Sequence, residues 1–405
     1  MTTVRQRLSR MSAASRYGTL AAAAALAAGI LVPVTAAAST AAPTAASQPG
    51  TPNWGRGARL DHVFIIMLEN HEADHVIGDP NTPFITSLAR QYGVATKYYG
   101  VTHTSEPNYI AATSGSTWWN NDDDGWYTGN HYPNPKIAGN HFPHANIVTE
   151  MQARHISWDA YMQAMPRPGY LPDSWPQKPP SGSAPLYASK HNPFILYNDI
   201  RFNPAWRDHI RPYPEMAAEL NGPNPPRYVW ISPDQCNDMH GGVYAKIKGF
   251  PETPCPYSNK AGDRFDEALK AKADKFVKQA VRTITTSRAW TGNSAIFITA
   301  DESDFDGSDP SDNFYLSTAG CCDSPYLPAG DPEISSKWPG GLYGGGSAPM
   351  IVVSRTGPRH ATDPAPSNHY SMLLTIEQGF GLPELGYTSD FKQVHPLWPL
   401  ILSHR

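Results

Sequence analysis

Four short apolar runs punctuate the chain, and each stops abruptly at polar residues. The run from His62 to Leu68 is apolar at all but its first position and breaks off in Glu69-Asn70-His71; Tyr228 to Ile231, Ala295 to Thr299 and Met350 to Val353 are shorter versions of it. Runs of this kind, without alternation, fit strands buried on both faces of a parallel sheet. Between them the spacing turns helical. Phe265, Leu269, Ala273, Phe276, Ala280 and Ile284 recur every three or four residues, which predicts a helix over Asp263 to Arg288. Shorter helices are expected from Thr82 to Tyr92, with Pro83 at its start and Gly93 at its end, and from Tyr370 to Gly379. Strands alternating with helices predict an α/β fold, a mostly parallel central sheet with helices on both faces.

Two regions do not follow this rhythm. Residues 118–185 are rich in Trp, Tyr, Pro, Asn and Asp and read as a loop-rich insertion over the sheet, with one helical segment expected near Ile147 to Met165 and Trp158 and Tyr161 as its packing residues. At the amino end, Arg5, Arg7, Arg10 and Arg16 precede an Ala-rich apolar stretch from Gly18 to Val34 and a run of small residues, the pattern of a cleavable signal peptide. The expected organisation is a signal peptide over 1–42, a flexible Pro, Gly and Ala-rich linker over 43–59, and one folded domain over 60–405 that includes the insertion. No later run reaches the roughly 18 apolar residues of a membrane span. The expectation is therefore a secreted protein without stable membrane insertion.

Composition narrows the picture further. With 40% hydrophobic and 17% charged residues the chain is of globular type, and 40 prolines among 405 residues imply long ordered loops rather than a helical bundle. The leader holds four Arg and no acid, so its removal takes the formal charge from -4 to -8. That balance argues against nucleic acid as the partner, since backbone binding runs on Lys and Arg. Four cysteines suit an oxidising compartment. Spacing leaves three pairings open; Cys236 with Cys255, closing a short loop, is the one expected. No C-x2-C pair is present, against a zinc ribbon.

Chemistry collects where the strands end. In open α/β sheets ligands bind beyond the carboxyl ends of the strands, so Glu69-Asn70, the stretch Asp234 to His240, and Asp301-Glu302 are expected to converge. Several carboxylates brought together need a cation or a proton to neutralise them, and a metal is the simplest answer. Glu302 to Gly307 also resembles the start of a helix-flanked calcium loop, but its twelfth position is Asn313, where that loop needs Glu. Thr102 to Ile110 supplies hydroxyls: if Pro107 opens a helix, Ser105 stands just before its N-terminus, where free N–H groups favour an anion. There is no G-x-S-x-G elbow and no glycine-rich phosphate loop. His191, His240 and His369 are the histidines placed in polar motifs; His62, His71 and His75 remain unassigned.

The combination of Glu69-Asn70, His103-Thr104-Ser105-Glu106-Pro107-Asn108-Tyr109, Lys190-His191-Asn192-Pro193-Phe194, Asn237-Asp238-Met239-His240, Thr299-Ala300-Asp301-Glu302 and Asn368-His369-Tyr370-Ser371 resembles the secreted bacterial and fungal phosphoesterases. That family includes acid phosphatases and is related to bacterial phospholipases C, within the alkaline-phosphatase-like superfamily. The resemblance spans about Asp61 to Pro383. It implies Ser105 as nucleophile and metal ligand, with Thr104 the weaker candidate, and Glu69, Asn70, Asp301 and Glu302 as the other metal ligands. Asp238, His240 and His369 fall where the superfamily places a second metal or phosphate-contacting groups, and His191, His240 and Asn108 become candidates for holding phosphate oxygens or protonating the leaving group. Alkaline phosphatases carry Asp-His where Asp301-Glu302 stands, so the oxygen-rich set favours calcium, magnesium or manganese over iron or zinc.

The function expected is a metal-dependent phosphomonoesterase of acid phosphatase type, working through a phosphoserine on a small phosphorylated substrate such as a phosphoinositide or sugar phosphate. A phospholipase C or other phosphodiesterase is the alternative; a noncatalytic carbohydrate- or surface-binding protein is the alternative of another class. Trp118, Trp119, Trp126 and Tyr127, interleaved with Asp122, Asp123 and Asp124, are expected to wall the substrate site.

Overall fold

The computed structural model describes residues 58–118, 120, 142–258, 260, 263–304, 317–330 and 339–402. The leader, the linker up to residue 57, Trp119, Trp126, Tyr127, Asp122 to Asp124 and the 305–313 part of the calcium-loop reading lie outside them. Eight strands form the central sheet: β1 (Val63–Leu68), β2 (Gly93–Ala95), β3 (Trp158–Met162), β4 (Ile210–Pro212), β5 (Tyr228–Ser232), β6 (Ala295–Ala300), β7 (Met350–Ser354) and β8 (Ala361–Asp363). Their order across the sheet is β8-β2-β7-β6-β1-β5-β3-β4. The five strands from β6 to β4 are parallel, while β7 runs antiparallel to both neighbours.

The four apolar runs became β1, β5, β6 and β7, and every residue of those strands is buried. The expected helices are present as α1 (Pro83–Gln91), α4 (Arg264–Thr285) and α5 (His369–Phe380); α2 (Ser105–Ser114) and α3 (Ile147–Ala153) complete the set used below. Asp263 caps α4 through the Phe265 N–H, and Leu269, Ala273, Phe276, Ala280 and Ile284 are buried. Beside this apolar stripe α4 also buries charge. Lys270 pairs with Asp266 at 2.9 Å and Asp79 at 3.1 Å, Asp266 takes the His71 ring at 2.8 Å, and Asp274 accepts the Ile85 N–H at 2.8 Å. These contacts tie the segment that follows β1 to the helix, which partners each buried charge.

One element was misread. The helix expected from Ile147 to Met165 stops at Ala153; His155 takes a left-handed φ of 54°, and Trp158–Met162 is β3, inside the sheet. A short buried strand and a buried helical turn are equally apolar, so periodicity over five residues does not separate them. Trp158 and Tyr161 are core residues all the same, and the stretch read as an insertion contributes a strand to the sheet. Disulfides join Cys236 to Cys255, as expected, and Cys321 to its neighbour Cys322. Among the described residues no helix is long and apolar enough to cross a membrane.

Candidate active site

Adjacent strands β6, β1 and β5 bring the three polar clusters together. Leu68 pairs in register with Ala300, and two hydrogen bonds continue the sheet beyond the strands: Asp301 N–H to Leu68 C=O at 3.0 Å and Glu69 N–H to Asp238 C=O at 2.8 Å. Glu69, Asp238, Asp301 and Glu302 are all buried. Helix α2 delivers the hydroxyl. Thr104 is its N-cap and Ser105 its first residue, so the helix starts two residues ahead of Pro107 and Ser105 lies inside it. The chain reaches α2 by passing tightly against the carboxylates: a Cβ on Gly100 would lie 2.8 Å from the Asp301 carbonyl oxygen and 3.0 Å from the Glu302 Cα, so only glycine fits.

Ser105 Oγ stands between two acids, 3.1 Å from Glu69 Oε2 and 3.1 Å from Glu302 Oε1. Tyr109, one turn further along α2, donates from its phenol to Glu69 Oε1 at 2.7 Å, and its ring stacks on His191 with centroids 5.4 Å apart. The His191 ring lies 3.0 Å from Glu69 through Nε2 and 3.5 Å from Asp238 through Nδ1. His103 contacts Glu302 through Nδ1, while its Nε2 faces the Ser317 carbonyl oxygen at 2.8 Å. Neither Tyr109 nor His103 was singled out from the sequence. The i, i+4 spacing of Ser105 and Tyr109 was the available signal, since it places both on one helix face.

Electrostatics at this point are severe. Burial first, then Glu69 and Glu302, push Asp301 well above the usual carboxylate range; burial first, then Glu69, does the same to Asp238. Both carboxylate oxygens of Asp301 are sealed from solvent without a well-formed hydrogen bond among the described residues, and the Glu302 N–H and Ser105 hydroxyl only partly offset the charge. Burial, with Lys190 and His240, holds His191 far below the usual imidazole value, so the ring is neutral despite its acidic neighbours. No three His, Cys, Asp or Glu side chains among the described residues form a ready-made metal cage. The donors nonetheless suit a hard divalent cation: crowded, buried oxygens whose mutual repulsion such an ion would reverse. Glu69, Asp301, Glu302 and the Ser105 hydroxyl are the residues that could hold it, with half-buried Asn70 beside them.

The remaining expected residues have other surroundings. Asn108 spends its amide on the loop ahead of α2, accepting from Val101 and Thr102 N–H at 2.7 and 3.2 Å and donating to the Thr102 and Thr104 carbonyls at 2.6 and 2.9 Å. That corrects its reading as a phosphate contact: four bonds saturate the side chain. His369 stands behind Asp301, with Nε2 on the Asp301 carbonyl oxygen and Nδ1 taking the Tyr98 hydroxyl at 2.8 Å, so it supports the backbone and offers no free nitrogen to phosphate. Asp238 accepts the His240 N–H at 2.8 Å; His240 itself is half-buried, 5.9 Å from the His191 ring, with Nδ1 3.2 Å from the Gly241 carbonyl oxygen and its ring against Tyr257. Trp118 is occupied in packing, donating to Ser114 Oγ at 2.9 Å and stacking on His144 at 4.0 Å.

The family model named Phosphoesterase family matches residues 79–249, the part of the chain that holds Ser105, His191, Asp238 and His240. Over that region the chain is similar to the phosphoesterase family. A "Phosphate-repressible acid phosphatase" of Penicillium chrysogenum is 28% identical over 185 residues, which is 46% of this chain and 40% of that protein. The chain thus spans less than half the length of that curated relative. A "Phosphatidylinositol-3-phosphatase" of Mycobacterium tuberculosis is 25% identical over 338 residues, 83% of this chain and 82% of that protein. A solved structure described as a protein in the alkaline phosphatase superfamily, from Vibrio parahaemolyticus, aligns at 11% identity with a TM-score of 0.45, covering 81% of this chain and 68% of that one.

Proposed function

We propose that the protein is a secreted, metal-dependent phosphomonoesterase that works through a phosphoserine at Ser105. The observation that carries this reading is the position of the Ser105 hydroxyl, first in helix α2 and 3.1 Å from each of two buried glutamates. A divalent cation held by Glu69, Asn70, Ser105, Asp301 and Glu302, with calcium, magnesium or manganese favoured, would lower the pKa of the hydroxyl and take up charge on the phosphoryl oxygens.

The chain's own residues do the rest. Ser105 Oγ attacks phosphorus, the bond from phosphorus to the ester oxygen breaks, and water then attacks the phosphoserine to release phosphate and restore the hydroxyl. The N-terminus of α2 receives the phosphoryl group at the positive end of the helix dipole. Glu69 is held by Tyr109, so it stays fixed while Ser105 reacts. His191 is neutral and buried, and His240 is the half-exposed ring beside it; His240 is assigned to the leaving-group oxygen because it is the more open of the two. Fungal acid phosphatase and mycobacterial phosphoinositide phosphatase relatives support a phosphomonoester substrate, and a phosphoinositide or a sugar phosphate fits that class.

The test compares purified protein on an aryl phosphomonoester, a bis-aryl phosphodiester and a phosphatidylinositol phosphate in detergent micelles, with and without chelator. Monoesters should be hydrolysed much faster than the diester, and chelation should stop both reactions. Preference for the diester would move the assignment to a phosphodiesterase of phospholipase C type.

A further inference from the structure

Asp301 and Glu302 are neighbours in the chain, and each is held from behind by a histidine. His369 Nε2 faces only the Asp301 carbonyl oxygen, so that nitrogen carries the proton and Nδ1 accepts from the Tyr98 hydroxyl. His103 is held differently: both its nitrogens face acceptors, Nε2 the Ser317 carbonyl and Nδ1 the Glu302 carboxylate. Both histidines lead to one short segment, 317–322. His103 reaches it directly at Ser317. His369 reaches it through the preceding residue, Asn368, whose Nδ2 donates to the carbonyl oxygens of Cys321 and Cys322 at 3.2 Å each.

Those two cysteines are bonded to each other. A disulfide between adjacent residues closes an eight-membered ring around one peptide bond, which removes much of the freedom of both residues. Here it fixes two carbonyl groups for one amide. The ring is also wedged in place, because Cys322 is buried in an apolar cluster with Val101, ahead of Ser105, with Ala111 of α2, and with Tyr370 and Leu374 of α5. The segment therefore shares an apolar cluster with the nucleophile's helix and with the helix that carries His369, bonds one support of the acid pair directly and reaches the other through Asn368.

We propose that the Cys321–Cys322 ring is a positioning device, which sets Asp301 through Asn368 and His369 while the adjoining Ser317 sets Glu302 through His103. This rests on the reading of Asp301 and Glu302 as ligands of the cation. Groups behind a metal ligand typically change affinity by roughly 10- to 100-fold when removed, which sets the scale of the effect.

Asn368 allows a clean test because it has two separable roles. Its Oδ1 caps α5 at the Tyr370 N–H, 3.0 Å away, and its Nδ2 holds the ring. Asn368→Asp keeps an N-cap but sets a carboxylate oxygen against two carbonyls. The full chain would be compared as wild type, Asn368→Asp and Cys321→Ser/Cys322→Ser, with the Cys236–Cys255 bridge intact. Readouts are calorimetric titration with manganese(II) alone, kcat and KM separately, and Tm. Expected is roughly tenfold weaker manganese(II) binding in both variants, a matching fall in kcat at subsaturating ion, little change in KM and a small shift in Tm. Wild-type binding and kcat in a folded Asn368→Asp variant would overturn the proposal. If the cysteine variant fails to fold, Asn368→Asp decides alone. An inactive wild type would count against the phosphatase reading, and the manganese(II) titration would still decide the role of the ring.

Discussion

The phenol of Tyr109 and the carboxylate of Glu69 are joined by a 2.7 Å hydrogen bond, on the oxygen that Ser105 leaves free. One helix thus holds both oxygens of the acid, because residues four apart share a face. Burial and Glu69 together keep the phenol protonated, so it acts as a permanent donor. Tyr109→Phe preserves the ring that stacks on His191 and removes only this bond. A hydrogen bond to a charged group is worth about 1.5–3 kcal/mol, so kcat/KM should fall roughly 10- to 100-fold with a near-native Tm. Unchanged kinetics would show that Glu69 needs no such support.

Ser105→Ala deletes one oxygen from a buried site and should abolish turnover while the protein stays folded. Thr104→Ala should be milder, since Thr104 is exposed and makes no side-chain capping bond. Rapid quench with a labelled monoester should trap phosphate on Ser105 in the wild type. Label found on another residue would refute the assignment.

The proposed metal dependence rests on the acid cluster. Asp301→Asn and Glu69→Gln each remove one charge from the oxygen set, and each should weaken divalent ion binding and lower activity at limiting ion. Strong chelation should silence the wild type, and one added divalent ion should restore it. Full activity in protein shown to be metal-free by elemental analysis would exclude the cation from the reaction.

Glu377 gives a prediction about stability alone. It is buried on α5, accepts the Leu385 N–H at 3.0 Å, and burial pushes its pKa up from 4.5 to about 8. The folded state therefore holds a proton that the unfolded chain has lost. The stabilisation is full below pH 4.5 and is lost as pH rises through about 8, at a limiting slope of about 1.4 kcal/mol per pH unit. Glu377→Gln keeps the accepting oxygen and cannot ionise. Its Tm should exceed that of the wild type at pH 8 to 9 and converge with it near pH 4.5; parallel Tm curves would show that Glu377 does not titrate.

Sequence determined the elements that bury surface on every side. The runs at Val63, Tyr228, Ala295 and Met350 are short, apolar, cut off by polar residues and set between helical stretches, which together mark them as inner strands, and the long helix from Arg264 declares itself by its period. The rule that ligands gather at the carboxyl ends of parallel strands then brought Glu69, Asp238, Asp301 and Glu302 to one place, because β6, β1 and β5 are neighbours. Tertiary structure decided the rest. Trp158–Met162 joined the sheet since β5 and β4 offered it partners on both edges, a fact invisible in five residues of local pattern. Asn108 and His369 looked like ligands by residue type, but polar side chains sealed in a core bind whatever lies nearest, here the loop before α2 and the backbone of Asp301. Likewise, the tie from Cys321–Cys322 through Asn368 to His369 joins residues 46 to 47 positions apart. Such contacts are set by how helices and loops pack onto the sheet, and no local pattern of side chains encodes that distance.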